Sequence, residues 1–313
     1  MVNLVWAERK AQVLSSSGLA CLTHTPTINL TSGCAHDCIY CYARGYTIFP
    51  GENRVVIYKN TLAKIKIELP RKKIKPQFVY FSPSSDIFQP IPEVLELSHS
   101  ILEFLLSNDI GIAFVTKGII PGKTLELLLN HSDKVRAQIG IITHDDYVRS
   151  IFEPNAADIK TRLTQMAKLR DGGIAVEARI IPILPGITDD PSSIDCLCAV
   201  ISNTGVKQAA ISTLFLRPAI ITSLKRHISN KETMETLLSY YSNQNHVAVQ
   251  TEHSSIIPLP KQKREEIYSR FHNIARKYAI NLAICGCMNP DIGGLCNIMG
   301  KWTKNDPQQY LFE

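Results

Sequence analysis

The sequence predicts an α/β protein built as a partial parallel barrel. Three observations support this fold class. Short β-branched runs alternate with longer amphipathic stretches, no internal repeat or low-complexity tract interrupts them, and a loop of closely spaced cysteines directly follows the first run. Such alternation is typical of a parallel sheet wrapped by helices. With 313 residues, the chain is long enough for one large core and extensions.

Six barrel strands are expected in the first two thirds of the chain, at 27–30, 77–81, 110–115, 136–142, 175–181 and 208–214. The predicted intervening helices lie near 61–69, 93–108, 124–129, 157–170 and 193–202. A further short strand is predicted at 54–59. Six β/α units make a partial barrel, because the complete form has eight.

This pattern divides the chain into three parts. An N-terminal extension is expected at 1–25, the partial barrel at 26–218, and a helical C-terminal extension at 219–313. Helices are predicted in that extension at 231–241 and 262–278, before a tail that contains cysteines. The fold class is therefore a partial (β/α)6 barrel with a helical, cysteine-containing extension.

The cysteine loop carries the first chemical signal. Cys34, Cys38 and Cys41 are spaced Cys-x3-Cys-x2-Cys, and Tyr40 and Tyr42 flank the last cysteine. Cysteine thiolates are the usual ligands of iron–sulfur clusters, which normally take four. Three in one loop, with no fourth nearby, leave one iron open to a small chelating molecule. The loop follows the first strand, where parallel barrels carry their chemistry.

The sequence resembles the radical S-adenosylmethionine (SAM) superfamily, and within it the branch of spore photoproduct lyase and "DNA repair photolyase"-like proteins. Besides the cysteine loop, the resemblance rests on segments that follow in order along the barrel: 82–90 (SPSSDIFQP), 115–118 (VTKG), 142–146 (ITHDD), 152–154 (FEP) and 181–189 (IPILPGITD). It covers the barrel region. The Gly-Gly-Glu that many superfamily members carry is absent, as it is in this branch.

The resemblance implies a [4Fe–4S] cluster on Cys34, Cys38 and Cys41, with SAM chelating the open iron. One-electron reduction, from a flavodoxin or ferredoxin type donor, would cleave SAM to methionine and a 5′-deoxyadenosyl radical that abstracts hydrogen from a substrate. The SAM carboxylate needs a cation, which Lys117 can supply. The residues expected to contact SAM are Tyr42, Ser85, Asp86, Lys117 and Thr143.

A second cysteine group lies in the tail, at Cys285, Cys287 and Cys296, with glycines at the turns between them. An auxiliary [4Fe–4S] cluster is the leading interpretation. A zinc site is the main alternative, although zinc prefers four ligands and no histidine follows nearby. Free thiols are the third alternative. The lyase of the resembled branch is not known for an auxiliary cluster, so the tail argues against a direct transfer of its DNA-repair activity.

Composition restricts the partners and the cellular compartment expected for the protein. The formal net charge is +6, with basic stretches at 59–75 and 261–264 that suit either phosphate contact or solvated surface. No apolar run reaches the roughly 18 residues of a membrane span, and we expect a cytoplasmic protein. Nine cysteines in a reducing compartment favour metal, cluster or catalytic roles over disulfides.

Three hypotheses on function remain open at the level of sequence. The first is a radical SAM enzyme acting on a nucleic acid or nucleoside. The second is a two-cluster radical SAM enzyme that inserts sulfur into, or otherwise modifies, a small metabolite or peptide. The third is a non-enzymatic iron–sulfur or zinc protein that binds nucleic acid. Arg217 is a candidate substrate contact, Glu177 and Arg179 should share one face of the fifth strand, and Glu153 and Arg162 can form an ion pair.

Overall fold

The computed structural model describes residues 2–16, 22, 25–241, 247–248 and 255–294. In chain order the strands are β1 Asn3–Ala7, β2 Ser15–Ser16, β3 Pro26–Ile28, β4 Thr31–Ser32, β5 Arg54–Tyr58, β6 Phe78–Phe81, β7 Gly111–Thr116, β8 Val135–Gly140, β9 Ala175–Ile183, β10 Gln208–Thr213, β11 Val247–Ala248, β12 Ser255–Ile256 and β13 Asn281–Ile284. The helices are α1 Thr61–Arg71, α2 Pro92–Ser107, α3 Gly122–Leu129, α4 Asp146–Phe152, α5 Ile159–Asp171, α6 Pro191–Asn203, α7 Pro218–His227, α8 Lys231–Ser239 and α9 Lys261–Lys277.

The main sheet is open and almost wholly parallel. Its order is β13-β10-β9-β8-β7-β6-β3-β2, and β2 is antiparallel to β3. All six predicted barrel strands are present, and helices connect them from β6 to β10. The fold is therefore a partial barrel, as the sequence predicted, and its carboxyl strand ends share one edge.

A seventh parallel strand was not predicted. β13 follows α9 and pairs in parallel with β10, from Gln208 opposite Asn281 to Ile211 opposite Ile284. The region after 218 thus supplies the sheet with an edge strand in addition to its helices. Because β13 is parallel to its neighbours, Cys285 directly after it lies at the same edge as the cysteine loop.

The core lies between the sheet and its helices. Val79, Ile112, Ala137, Ala178 and Ile211, on successive strands, are all fully buried. Strands covered on both faces read as nearly continuous apolar runs, which explains why they could be located from sequence. Burying one such Val or Ile side chain contributes about 1.5–3 kcal/mol.

A smaller sheet supports the start of the cysteine loop. The strand predicted at 54–59 exists as β5, but it pairs with β1 in parallel and with β4 in antiparallel fashion, outside the barrel. Gly33 follows β4 with a φ of +80°, and a Cβ there would collide with the carbonyl oxygen of Arg54. Only glycine suits this position, because other L-residues rarely adopt such a φ.

None of the helices within the described residues combines the length and the apolar character that crossing a membrane requires.

Candidate active site

One cavity at the carboxyl edge of the sheet gathers most of the predicted site. Its volume is about 250 Å³, and its lining includes all three thiols of the cysteine loop. The loop follows β3 and β4, and its last cysteine precedes a 3₁₀ turn at Tyr42–Gly45. Ser85, Lys117, Arg179 and Arg217 line the same cavity.

The thiols are held in a poorly hydrated setting. Burial raises the pKa of Cys34 well above its usual value, and Asp86 adds to that rise. Burial likewise raises the pKa of Cys38 to about 12, although the Lys117 ammonium opposes this. The backbone N–H groups of His36 and Asp86 oppose the rise in the pKa of Cys34. Because a metal binds the thiolate, binding at Cys34 and Cys38 would displace their protons.

His36 and Asp86 connect the cysteine loop to the ends of β6 and β7. His36 Nε2 lies 3.1 Å from Asp86 Oδ2, and its Nδ1 lies 3.2 Å from the Asn155 carbonyl oxygen. Asp86 also accepts hydrogen bonds from the Thr116 hydroxyl and from the backbone N–H groups of Lys117 and Phe88. Burial alone raises the pKa of Asp86, but His36 and these donors outweigh it and the pKa is lowered.

Arg44 fastens the other end of the loop. Its guanidinium donates to the Cys38 carbonyl oxygen at 3.1 Å, to Asp37 Oδ1 at 2.5 Å and to Glu52 Oε1 at 3.0 Å. Arg44 is buried, so these charge-assisted bonds are shielded from water. His36 and Asp37 are thus loop-forming residues.

A buried ion pair lies beneath the loop. Arg162 Nη1 lies 2.5 Å from Glu153 Oε2, and both side chains are fully buried. Glu153 also accepts a hydrogen bond from the Tyr40 hydroxyl, inside the cysteine loop. Arg162 further donates to the carbonyl oxygens of Gly140 and Ala157. The ion pair predicted from sequence therefore ties the cysteine loop to α5 and to the end of β8.

Lys117, after β7, extends over Gly140 toward the cysteine loop. Its ammonium is 5.8 Å from the centre of the Tyr40 ring, and no hydrogen bond or ion pair to Nζ is present among the described residues. A Cβ at Gly140 would come within 2.8 Å of Lys117 Cγ. Burial lowers the pKa of Lys117, but Cys38 and Glu153 outweigh it, so the pKa is raised and the lysine stays charged.

The other expected SAM contacts differ in their environments. Ser85 is buried and lines the cavity, and its hydroxyl has no hydrogen-bond partner in the described structure. Tyr42 also lines the cavity and is 39% exposed. Thr143 is buried, accepts the N–H of Asp145 at 3.0 Å and is not part of the cavity lining. Asp86 is occupied by the bonds described above.

A polar group inside the barrel was only partly anticipated. Glu177 and Arg179 both contact Gln138, as their shared face predicted: Gln138 Nε2 donates to Glu177 at 2.5 Å, and Arg179 Nη1 donates to Gln138 Oε1 at 3.4 Å. Tyr80 donates to the same oxygen at 3.1 Å. Gln138 and Tyr80 had no sequence signal, because inward-facing polar residues on a buried strand resemble ordinary core positions.

Arg217 closes the cavity beside the cysteine loop. It precedes α7, and its guanidinium lies 5.5 Å from the centre of the Tyr46 ring. Nη1 is 3.5 Å from the Tyr42 carbonyl oxygen, and the buried Nε has no partner among the described residues. An arginine in a cation–π contact with an aromatic ring beside a cavity suits a planar or anionic ligand.

Two cysteines of the second group line the same cavity. Cys285 and Cys287 follow β13 within a turn that ends at Asn289, and Cys285 is buried. Burial raises the pKa of Cys285, which the Arg179 guanidinium opposes. Cys296 lies outside the described residues.

The donor set fits a cluster better than a single ion. Among the described residues, no three His, Cys, Asp or Glu side chains stand close enough together to bind one metal ion. Cys34, Cys38 and Cys41 nevertheless line one cavity. Cys38 is close enough to raise the pKa of Cys34, and Cys41 is close enough to raise the pKa of Cys38. A four-iron cluster keeps its cysteine sulfurs farther apart than one ion does, and it is held by thiolates. The loop suits such a group.

Fold and site together define an iron–sulfur enzyme with a partial β/α barrel. The family model of the radical SAM superfamily matches residues 28–194, and the chain belongs to that superfamily. Its cofactors are accordingly a [4Fe–4S] cluster and SAM. This membership makes the chain an enzyme and sets aside the non-enzymatic hypothesis.

Several curated proteins are similar in sequence. An uncharacterised protein of Mycobacterium tuberculosis is 26% identical over 207 residues, covering 63% of this chain and 61% of that protein. An uncharacterised protein of Acidianus two-tailed virus is 30% identical over 171 residues, covering 50% and 56%. The radical SAM Nalpha-GlyT isomerase of Pseudomonas phage M6 is 24% identical over 204 residues, covering 64% and 42%. The chain thus spans about three fifths or less of each relative.

Solved structures share the fold. A spore photoproduct lyase variant with bound AdoMet and dinucleoside spore photoproduct superposes with a TM-score of 0.68 at 17% identity, over 90% of this chain and 81% of that one. The lyase complexed with dinucleoside spore photoproduct gives 0.65 at 17% identity over the same shares.

Proposed function

We propose that this radical SAM enzyme acts on a nucleic acid or nucleoside. The observation that carries the proposal is the cation–π pair of Arg217 and Tyr46 at the cavity lined by Cys34, Cys38 and Cys41. Aromatic rings stack on bases of any sequence, and arginine adds both stacking and charge toward phosphate. Tyr42 and Tyr46 meet edge to face, with ring centres 5.8 Å apart.

Side chains of the cavity can be assigned roles in binding the cofactors and in excluding water. Cys34, Cys38 and Cys41 would hold the cluster, which together with SAM and an external electron would supply radical hydrogen abstraction from the substrate. Lys117 would bind the SAM carboxylate, since its ammonium lacks a hydrogen-bond partner among the described residues. Ser85 would accept from the ammonium or ribose of SAM. Apolar residues of the lining would limit water at the reacting atoms: Phe49, Phe215, Ile256 and Met288.

The comparisons agree with this substrate class. A structure of the same fold holds AdoMet together with a dinucleoside. The basic stretches at 59–75 and 261–264 are available for phosphate contact on the surface. Radical SAM chemistry also requires a reductant, for which we propose a flavodoxin or ferredoxin type protein.

The test is substrate-dependent SAM cleavage. The reconstituted enzyme is supplied anaerobically with reductant and SAM, and 5′-deoxyadenosine is measured with and without single-stranded DNA, duplex DNA, RNA or mixed nucleosides. We expect stimulation by at least one of these, and Arg217→Gln should weaken it. Arg276→Gln, an exposed arginine on α9 outside both basic stretches, is the matched control. Equal cleavage with and without every nucleic acid component would contradict the proposal.

A second candidate function comes from Cys285 and Cys287. These thiols line the reaction cavity, which would suit an auxiliary [4Fe–4S] cluster, with Cys296 as the further ligand expected from sequence. Such an enzyme would insert sulfur into, or otherwise modify, a small metabolite or peptide. Loss of cluster sulfide during turnover would support sulfur insertion. A cluster intact after many turnovers would argue against it.

A further inference from the structure

We infer that Arg179 binds a phosphate group of the substrate, so that the enzyme selects a nucleotide or a phosphodiester over a free nucleoside. The inference rests on the proposed function and narrows it, because a nucleoside lacks the phosphate that nucleotides and nucleic acids carry. Arg179 thereby becomes a specificity-determining residue of the reaction cavity.

The position of Arg179 on the sheet is the first step. It lies on β9, between β8 and β10, and its partly exposed side chain lines the cavity. The residues opposite it on these neighbouring strands are Gly140 and Ala210, which are too small to cover a guanidinium. A side chain on a central strand is also held more rigidly than one on a loop.

Gln138 orients the guanidinium from inside the barrel. An ionised carboxylate only accepts hydrogen bonds, so the Gln138 amide nitrogen, which donates to Glu177 at 2.5 Å, must face that residue. The Gln138 oxygen then faces Arg179, whose Nη1 donates to it at 3.4 Å, and Tyr80, whose hydroxyl donates at 3.1 Å. A neutral oxygen orients the guanidinium without cancelling its charge.

Arg179 also lies beside the aromatic side chains that we propose as the stacking surface. Burial of the Tyr42 hydroxyl raises its pKa well above the usual value, and the nearby Arg179 guanidinium opposes the rise. Tyr42 meets Tyr46, and Tyr46 contacts Arg217. The order along the cavity is therefore Arg179, Tyr42, Tyr46 and Arg217. A base stacked on either ring has a guanidinium nearby for the phosphate on its sugar.

The charges of the lining favour an anionic substrate. Positive side chains outnumber carboxylates in the described lining, which contains Arg44, Lys117, Arg179 and Arg217 against Asp37 and Asp86. Arg44 is paired with Asp37, and we assign Lys117 to SAM. Arg179 and Arg217 are the cations left to face a substrate. Guanidinium groups match the geometry of phosphate, to which they can donate two parallel hydrogen bonds.

The first experiment measures binding with probes that differ only in charge. One pair is a short single-stranded DNA of mixed sequence and the same oligomer with uncharged methylphosphonate linkages. The other pair is mixed deoxynucleoside 5′-monophosphates and the parent nucleosides. Affinities are measured by equilibrium dialysis against the reconstituted enzyme with SAM. We expect Arg179→Gln to weaken binding of a phosphate-bearing probe about 10- to 100-fold and to leave its uncharged counterpart unchanged.

The two pairs also identify the source of the phosphate. An effect on the DNA assigns Arg179 to a phosphodiester, whereas an effect confined to the monophosphates assigns it to a terminal phosphate, and either supports the inference. Arg179→Lys, which keeps the charge, should retain part of the affinity. Gln138→Leu removes the orienting oxygen and should give a smaller loss with the same probes. Arg276→Gln is the control, and circular dichroism and iron content confirm that each variant is folded and loaded.

Three results would contradict the inference, and they are distinguishable. Equal losses for charged and uncharged probes in Arg179→Gln would mean that the residue shapes the cavity without binding phosphate. Weaker SAM binding in this variant, measured without substrate, would assign the residue to the cofactor. If no nucleic acid component binds the wild type or stimulates formation of 5′-deoxyadenosine, the proposed function fails as well. Stimulation by nucleosides and nucleotides alike would overturn only the role of Arg179.

Discussion

The two cysteine groups face one cavity but are supported by different chemistry. The first loop is fastened by charged groups: Arg44 with Asp37, His36 with Asp86, and Arg162 with Glu153 beneath Tyr40. The second turn is fastened directly by a neutral amide, Asn289, and by glycine contacts. The ion pairs of the first loop involve residues within the loop itself, whereas at the second turn the Arg264–Asp291 ion pair reaches the cysteines through the Asn289 amide.

This difference shows how one barrel edge can carry two centres with separate requirements. A buried charge network is sensitive to the loss of any one member, because each leaves an uncompensated charge. An amide network loses hydrogen bonds individually and at smaller cost. The predictions below test whether the two supports are as distinct as their contacts indicate.

The largest effect on stability is expected at the buried Arg162–Glu153 ion pair beneath the first loop. Arg162→Met leaves Glu153 buried without its cation and should lower the free energy of unfolding by about 3–5 kcal/mol. Denaturant unfolding measures it. The Arg162→Met/Glu153→Gln double variant should recover part of the loss, because no buried charge then remains unpaired. Lys261→Met, in an exposed pair with Glu265, should change stability by about 1 kcal/mol or less. Equal effects of Arg162→Met and Lys261→Met would refute the network.

A smaller effect on stability is expected at Asn289, which holds the turn after Cys285. Asn289→Ala removes the oxygen that accepts hydrogen bonds from the Arg264 guanidinium and the Tyr268 hydroxyl. A buried polar group left without a partner costs about 1–3 kcal/mol of stability. Stability should fall by that order, and iron retained by the Cys34/Cys38/Cys41→Ala variant should fall with it. SAM cleavage at the first cluster should persist. If Asn289→Ala abolished iron at both sites equally, the supports would not be separate.

Lys117 should matter for SAM and not for folding. Lys117→Met removes the cation proposed for the SAM carboxylate, and hydrogen bonds to charged groups contribute about 1.5–3 kcal/mol. SAM affinity, measured by equilibrium binding to the reconstituted enzyme, should fall about 10- to 100-fold. Iron content should stay unchanged. Lys123→Met, exposed on α3, is the control. Unaltered SAM affinity in Lys117→Met would remove this residue from the site.

A more graded change comes from Gly140. Gly140→Ala places a Cβ within 2.8 Å of Lys117 Cγ, so the lysine chain must shift. We expect SAM affinity several-fold weaker than wild type, yet stronger than in Lys117→Met. Gly122→Ala, where a Cβ meets nothing within 4 Å, should leave affinity as it is. A Gly140→Ala enzyme with wild-type affinity would mean that the position of the lysine chain is unimportant.

The smallest effect is expected in how the free energy of unfolding depends on acidic pH through Glu153. Burial alone would raise the pKa of Glu153, but Arg162 and Lys117 outweigh it and the pKa is lowered. Its stabilisation is therefore complete above the unfolded pKa of about 4.3 and is lost as pH falls through the lower folded value. Unfolding free energy measured from pH 5 downward should fall less steeply in Glu153→Gln than in wild type. Parallel slopes would show that Glu153 does not contribute to the acid sensitivity.

The sequence by itself determined the six central strands and the chemistry of the first loop. Buried parallel strands such as β7 and β9 are continuous apolar runs, which periodicity detects. The spacing of Cys34, Cys38 and Cys41 is a local property of the chain.

Only the tertiary structure decided what meets across the cavity. β13 has four residues, and its pairing with β10 cannot be inferred from so short a run. Without that strand, Cys285 and Cys287 seemed to lie in a tail, and nothing local brings them opposite Cys34. The contact of Tyr40 with Glu153 joins residues 113 positions apart. Such partners depend on how parallel strand ends gather at one edge, a property of the assembled sheet.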